Sequence, residues 1–119
     1  MRIIIAGSRG VDDHSVVGKA IKESGLEVTE VVSGCARGVD RLGEEWAEEN
    51  DVPLRRFPAD WERHGSAAGF IRNAEMARHA DALVAIWDGS SRGTAHMIKL
   101  ARRKGLIVKV FSPKGEPRQ

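Results

Sequence analysis

Ile3-Ile4-Ile5-Ala6-Gly7-Ser8-Arg9-Gly10 is the stretch that decides the fold. A continuous apolar run stopped by glycine reads as a parallel strand buried on both faces, whereas an antiparallel strand with one wet face would alternate. The break then opens a helix. Asp12 and Asp13 can cap it, Val16, Val17, Ala20 and Ile21 recur at helical spacing, and Gly25 stops it.

The same unit repeats downstream. Residues 28–32 are β-branched and end at Ser33-Gly34. A helix follows with Val39, Leu42, Trp46 and Ala47 on one face and Glu44, Glu45, Glu48 and Glu49 on the other. Residues 53–57 form a weaker strand bounded by Pro58, and residues 59–69 have no period, which suits a covering or functional loop. Phe70, Ile71, Ala74 and Ala77 space a third helix that ends near His79. Residues 82–87 form an apolar strand closed by Asp88-Gly89. A fourth helix turns Met97, Ile98 and Ala101 inward, and Gly105 separates it from a last strand at residues 106–111.

Five strands interleaved with four helices predict the α/β class: one doubly wound, Rossmann-like parallel sheet of order 3-2-1-4-5, with right-handed crossovers and helices on both faces. Residues 1–111 make one domain, and residues 112–119, with two prolines, form a flexible tail.

Composition narrows the function classes. The 119 residues are 41% hydrophobic and 30% charged with a net charge of +2, which suits a globular domain and gives no electrostatic case for nucleic acid. One cysteine excludes an internal disulfide, and the N-terminus lacks the apolar region of a secretory signal, so the cytoplasm is the expected compartment. No apolar run approaches the roughly 20 residues that cross a bilayer, so no membrane is expected. His14, His64, His79, His96 and Cys35 show no metal-ligand spacing, so neither metal nor cofactor is expected.

In doubly wound sheets the ligand crevice lies outside the carboxyl ends of the strands, where the winding reverses, here between strands one and four. The loops leaving strands one, two and four are the glycine-rich ones: Gly7-Ser8-Arg9-Gly10, Ser33-Gly34-Cys35-Ala36-Arg37-Gly38 and Asp88-Gly89-Ser90-Ser91-Arg92-Gly93-Thr94. Glycine lets successive N–H groups turn toward an anion, and each loop opens a helix whose N-terminus favours negative charge. Ser8, Ser33, Ser90, Ser91 and Thr94 supply hydroxyls, and Arg9, Arg37 and Arg92 supply positive charge. Neither G-x-G-x-x-G nor the P-loop signature occurs, which disfavours a dinucleotide site of the usual kind and a Walker NTPase. Asp40, in the first turn of the second helix, either complements the dipole or holds a ribose hydroxyl. Arg72-Asn73 either swings over the pocket or lies on a solvated helix face. The basic run Lys99, Arg102, Arg103 and Lys104 is read as the C-terminal complement of a helix dipole.

Together, Gly7-Ser8-Arg9, Ser33-Gly34-Cys35-Ala36-Arg37-Gly38-Val39-Asp40, Ile71-Arg72-Asn73-Ala74-Glu75-Met76-Ala77 and Trp87-Asp88-Gly89-Ser90-Ser91-Arg92-Gly93-Thr94 resemble the motif set of the SLOG superfamily, in particular its YspA-like branch. That superfamily is Rossmann-like and binds nucleotides, nucleotide-derived ligands or nucleic acid. It includes the LOG-type phosphoribohydrolases, which release a base from a nucleoside monophosphate, and the Smf/DprA-type DNA-processing proteins. The resemblance implies binding or sensing of a nucleotide-like phosphorylated ligand, for example one related to ADP-ribose, by a homo-oligomer such as a dimer. Arg72-Asn73-Ala74-Glu75-Met76 is similar to the Arg-Lys-x-x-Met segment of the hydrolases, which implies a catalytic or phosphate-binding role for Arg72 and makes Glu75 a candidate catalytic carboxylate. The hydrolases place a glutamate just after the Gly-Thr pair that opens the last helix; here Gly93-Thr94 is followed by Ala95, His96 and Met97, leaving Glu75 or Asp88 to supply a carboxylate. Single-stranded nucleic-acid binding of the Smf/DprA type ranks last, because no aromatic platform is apparent in a chain with three Trp, three Phe and no Tyr.

Overall fold

A computed structural model describes residues 1–118 of the chain. Its elements run β1 (Arg2–Gly7), α1 (Ser15–Ser24), β2 (Glu30–Ser33), α2 (Val39–Glu49), β3 (Leu54–Arg56), α3 (Trp61–His64), a 3-10 turn (Gly65–Ala67), α4 (Ala68–His79), β4 (Ala82–Ile86), α5 (Arg92–Arg103), β5 (Ile107–Phe111) and β6 (Pro117–Arg118). The sheet order is β3-β2-β1-β4-β5-β6. β1 pairs in parallel with both β2 and β4, so the winding reverses between β1 and β4, as the strand order required.

The apolar run of β1 is buried on both faces, and its residues divide between two cores. Ile3 and Ile5 pack with Val16, Val17, Ala20 and Ile21 of α1 and Val39, Leu42 and Ala47 of α2. Ile4 and Ala6 pack with Met76 and Ala77 of α4 and Met97, Ile98 and Ala101 of α5. Alternation along a strand sends successive side chains to opposite faces, and both faces carry helices. Each fully buried isoleucine contributes about 1.5–3 kcal/mol relative to an exposed one.

Two expectations are corrected. The sheet is mixed and has six strands: the segment after β5, taken as a tail, folds back so that β6 pairs antiparallel with β5, Val110 opposite Arg118 and Phe111 opposite Pro117. Ser112 makes the turn. Its N–H donates to the Glu116 carbonyl at 2.7 Å, its carbonyl accepts from Gly115 at 2.8 Å, and its hydroxyl accepts from Lys114 and Glu116. Residue 119 lies outside the described residues.

The second correction concerns α4. Phe70 and Ile71, expected to face inward, are exposed, and the buried face is Ala68, Asn73, Met76 and Ala77. Small residues let this helix lie close on the sheet, while Phe70 leans against the His96 ring of α5 with centroids 4.4 Å apart. The helix also begins at Ala68, inside the stretch expected as loop, and the one-turn α3 precedes it.

Candidate functional site

At the winding reversal the three glycine-rich loops interlock. The Ser8 N–H donates to the Ile86 carbonyl at 3.0 Å, and its hydroxyl accepts the Asp88 N–H at 3.0 Å, fastening the β1 loop to the β4 loop. The Ser8 carbonyl accepts the Val39 N–H at 3.3 Å, fastening it to the start of α2. These contacts leave no room for side chains. A Cβ on Gly7 would collide with the Ile86 carbonyl oxygen, and one on Gly38, whose φ is +73°, would stand 2.6 Å from the Arg9 Cα. Ser8 and Gly38, expected as ligand contacts, therefore hold the loops together. Ser33 does the same inside its own loop: it is fully buried, donates to Glu44 at 2.6 Å and accepts the Cys35 N–H at 3.1 Å.

The interlocked loops and α4 enclose a cleft of about 360 Å³. Gly7 and Arg9 reach it from the β1 loop, Ala36 and Asp40 from the β2 loop, and Ser91, Arg92, Gly93 and Thr94 from the start of α5. Gly69, Phe70, Arg72, Asn73 and Met76 of α4 line the remaining wall, with Met97 of α5. Residues from all three loops thus meet at one place.

The start of α5 keeps its main-chain donors open. Its dipole is that of a 12-residue helix, and the amides of Arg92, Gly93 and Thr94 have no hydrogen-bond partner among the described residues. The Ser91 and Thr94 hydroxyls lie 3.1 Å apart beside them. The earlier amides of this loop are committed. The Asp88 carboxylate accepts from Ser90 at 2.8 Å and Ser91 at 3.0 Å, and these bonds hold its pKa down at about 2. Asp88 and Ser90 are thus engaged with each other, and neither they nor Gly89 line the cleft.

Asp40 is the one acidic residue among those lining the cleft. Only 5% of it is exposed, and burial raises its pKa from 3.8 to about 6 despite the amides of Ala36 and Gly7 and the charge of Arg72, which pull the other way. Its Oδ2 accepts the Ala36 N–H at 3.1 Å. Arg72 donates through Nη1 to the Gly34 carbonyl and through Nε to Asn73 Oδ1 at 3.0 Å. Buried Asn73 in turn lies 3.0 Å from His96 Nδ1 and reaches the Gly93 carbonyl at 3.4 Å. This chain of bonds runs from the β2 loop through α4 to the start of α5. Arg72 and Asn73 thus line the cleft and do not lie on a solvated helix face.

A second hollow of about 270 Å³ adjoins the first, sharing Arg9, Ala36, Trp61 and Arg72, and adds Gly34, Cys35 and Arg37. Cys35 is exposed with φ +65°, and its thiol is pushed up by partial burial and by Glu44, so it stays a thiol at neutral pH. Glu75 lies on the exposed side of α4 and lines neither hollow. Trp61 and Phe70, not expected at the site, do line the cleft as exposed aromatic rings, so the absence of an aromatic platform, on which nucleic-acid binding was ranked last, does not hold in the fold. Their signal was weak: two large apolar residues in or beside a stretch without period. No helix is long and apolar enough to cross a membrane, and no group of three metal-ligating side chains occurs among the described residues.

Residues 1–64 match the sequence model of a family described as YspA, cpYpsA-related SLOG. That match includes the β1 and β2 loops, Asp40 and Trp61. In sequence the chain is similar to the Gene 61 protein of Mycobacterium phage D29, 38% identical over 125 residues, which span 95% of this chain and 98% of that protein.

Proposed function

The chain belongs to the YspA, cpYpsA-related SLOG family, and from that premise we propose that it binds or senses a nucleotide, or a phosphorylated compound derived from one, in the cleft between the β1, β2 and β4 loops. The observation that supports this reading is the start of α5, where three amides without a partner among the described residues and two hydroxyls lie at one hollow that Arg9, Arg72 and Arg92 also line. A phosphate seated there accepts main-chain N–H bonds at a helix N-terminus and charge-assisted bonds from arginine. Arg72 is already oriented by its bonds to Gly34 and Asn73, so less side-chain freedom is lost when it engages a ligand.

A thermal-unfolding panel of nucleoside mono- and diphosphates and ADP-ribose tests the proposal. A ligand at 100 times its Kd stabilises by about 2.7 kcal/mol, a shift of several degrees for a domain of this size. No shift with any member of the panel at millimolar concentration refutes it.

Asp40 favours a second reading, N-glycosidic hydrolysis of a nucleoside monophosphate. It puts a carboxylate in the cleft although Ala95, His96 and Met97 occupy the place where the hydrolases carry a glutamate. A carboxyl that titrates near 6 can exchange protons at physiological pH. Long incubation of nucleoside monophosphates with concentrated protein, followed by chromatography, would show free base, and its absence retires this reading while leaving the binding proposal intact.

A further inference from the structure

The chain has three Trp and three Phe. Phe111 is buried, and Trp46, Phe57 and Trp87 are half-buried. Trp61 and Phe70 are the exceptions, 54% and 52% exposed, and both line the candidate cleft. Leaving an indole and a phenyl ring in water forgoes the burial free energy that normally draws such side chains inward. Packing gives no reason for it: α3, which carries Trp61, has no buried residue, and is held by the Asp60 carboxylate accepting the Arg63 N–H at 3.1 Å.

The position of the indole is specific. Its Cη2 lies 3.6 Å from where a Cβ on Gly69 would stand, and Nη2 of Arg72 lies 3.7 Å from the same point. Phe70 sits one residue further on and is braced by the His96 ring. One hollow is therefore lined both by arginines and helix-start hydroxyls and by two exposed aromatic residues. That pairing matches a ligand with a phosphate at one part and a flat heterocycle at another.

We propose that Trp61, supported by Phe70, is the base-binding part of the cleft, a stacking surface for the heterocycle of a nucleoside monophosphate. This rests on the nucleotide reading above. The α3 segment exists to present it, which explains a helix with no core side. Ser66 is the only polar side chain that the α3 segment and its 3-10 turn add to the lining, so recognition is by stacking area and accepts different bases, purines above pyrimidines.

Titration calorimetry with AMP, CMP and ribose 5-phosphate, on the intact chain and on Trp61→Ala and Trp61→Phe, tests this. Ribose 5-phosphate keeps the phosphate and sugar but lacks the base. The unaltered chain is expected to bind AMP about 5- to 100-fold more tightly than ribose 5-phosphate, the range that stacking one base supplies. Trp61→Ala should lose most of that ratio, Trp61→Phe should keep most of it, and both should bind ribose 5-phosphate as before, which also shows that they are folded. An AMP to ribose 5-phosphate ratio near one in the unaltered chain, or a ratio that survives in Trp61→Ala, overturns the assignment while the phosphate site stands. Binding of none of the three probes removes the nucleotide reading and this inference with it.

Discussion

Replacing Asp40 by Asn should stabilise the protein, and by an amount that depends on pH. Because burial raises the folded-state pKa from 3.8 to about 6, the fold prefers the neutral carboxyl. The stabilisation from that preference is fully present below about pH 3.8 and is lost as the pH rises through 6. At about 1.4 kcal/mol for each tenfold change in proton affinity, the carboxylate costs the folded state about 3 kcal/mol above pH 7. With 5% of the residue exposed, water does little to screen this, and the opposing attraction of Arg72 is already contained in the value of about 6. Asparagine has nearly the same shape, keeps an acceptor for the Ala36 N–H and cannot ionise. Asp40→Asn should therefore exceed the unaltered protein by about 3 kcal/mol at pH 8 and by well under 1 kcal/mol at pH 4. Urea unfolding at the two pH values reads the difference, a midpoint higher by about 1–3 M at pH 8 for m-values of about 1–3 kcal/mol/M. Equal gaps at both pH values, or a variant less stable at pH 8, would show that Asp40 is not held near neutrality by burial.

Three further outcomes follow from the same geometry. Gly7→Ala forces a methyl group into the Ile86 carbonyl and within 2.7 Å of Val39 Cγ2, so its unfolding free energy should fall by about 2 kcal/mol or more, whereas Gly10→Ala, with nothing within 4 Å, should stay within about 0.5 kcal/mol; similar losses would refute the interlocked loops. Arg72→Ala should weaken nucleoside monophosphate binding about 10- to 100-fold in calorimetry, the worth of a hydrogen bond to a charged group, and unchanged affinity would remove Arg72 from the site. Arg118 donates to the Trp87 carbonyl at 3.0 Å and lies 5.6 Å from the centre of that indole, so Arg118→Ala should speed amide exchange at residues 88–91 while leaving β1 unaffected; unchanged exchange there would show that β6 does not brace the loop.

Much of the architecture was legible locally. The uniform apolar runs of residues 3–6 and 82–87 read as strands covered on both faces, and right-handed crossovers then constrained their order. That order also places a hollow at the carboxyl ends of β1 and β4, since loops diverge where the winding reverses, and the candidate cleft lies there. Apolar spacing that starts at Phe70 puts that side of α4 inward, whereas the helix begins at Ala68 and turns Asn73 inward to bond across to α5. β6 carried no signal. Two residues, one of them proline, have no period, and their strand character exists only because the edge of β5 is there to pair with.

The glycine and hydroxyl pattern of the three loops, with the arginines beside them, is written in the chain, because backbone freedom and charge are properties of residue types. Which of those groups remain available is not written there. Asp88 takes up the amides of Ser90 and Ser91, Ser33 that of Cys35 and Asp40 that of Ala36, leaving the start of α5 open. Such commitments depend on distances of about 3 Å between groups whose placement the whole sheet sets. The same holds for Asp40, an ordinary carboxylate in sequence that only burial beside Gly7, Ala36 and Arg72 makes hard to ionise, and for Trp61, which only the folded chain brings beside Gly69 and Arg72.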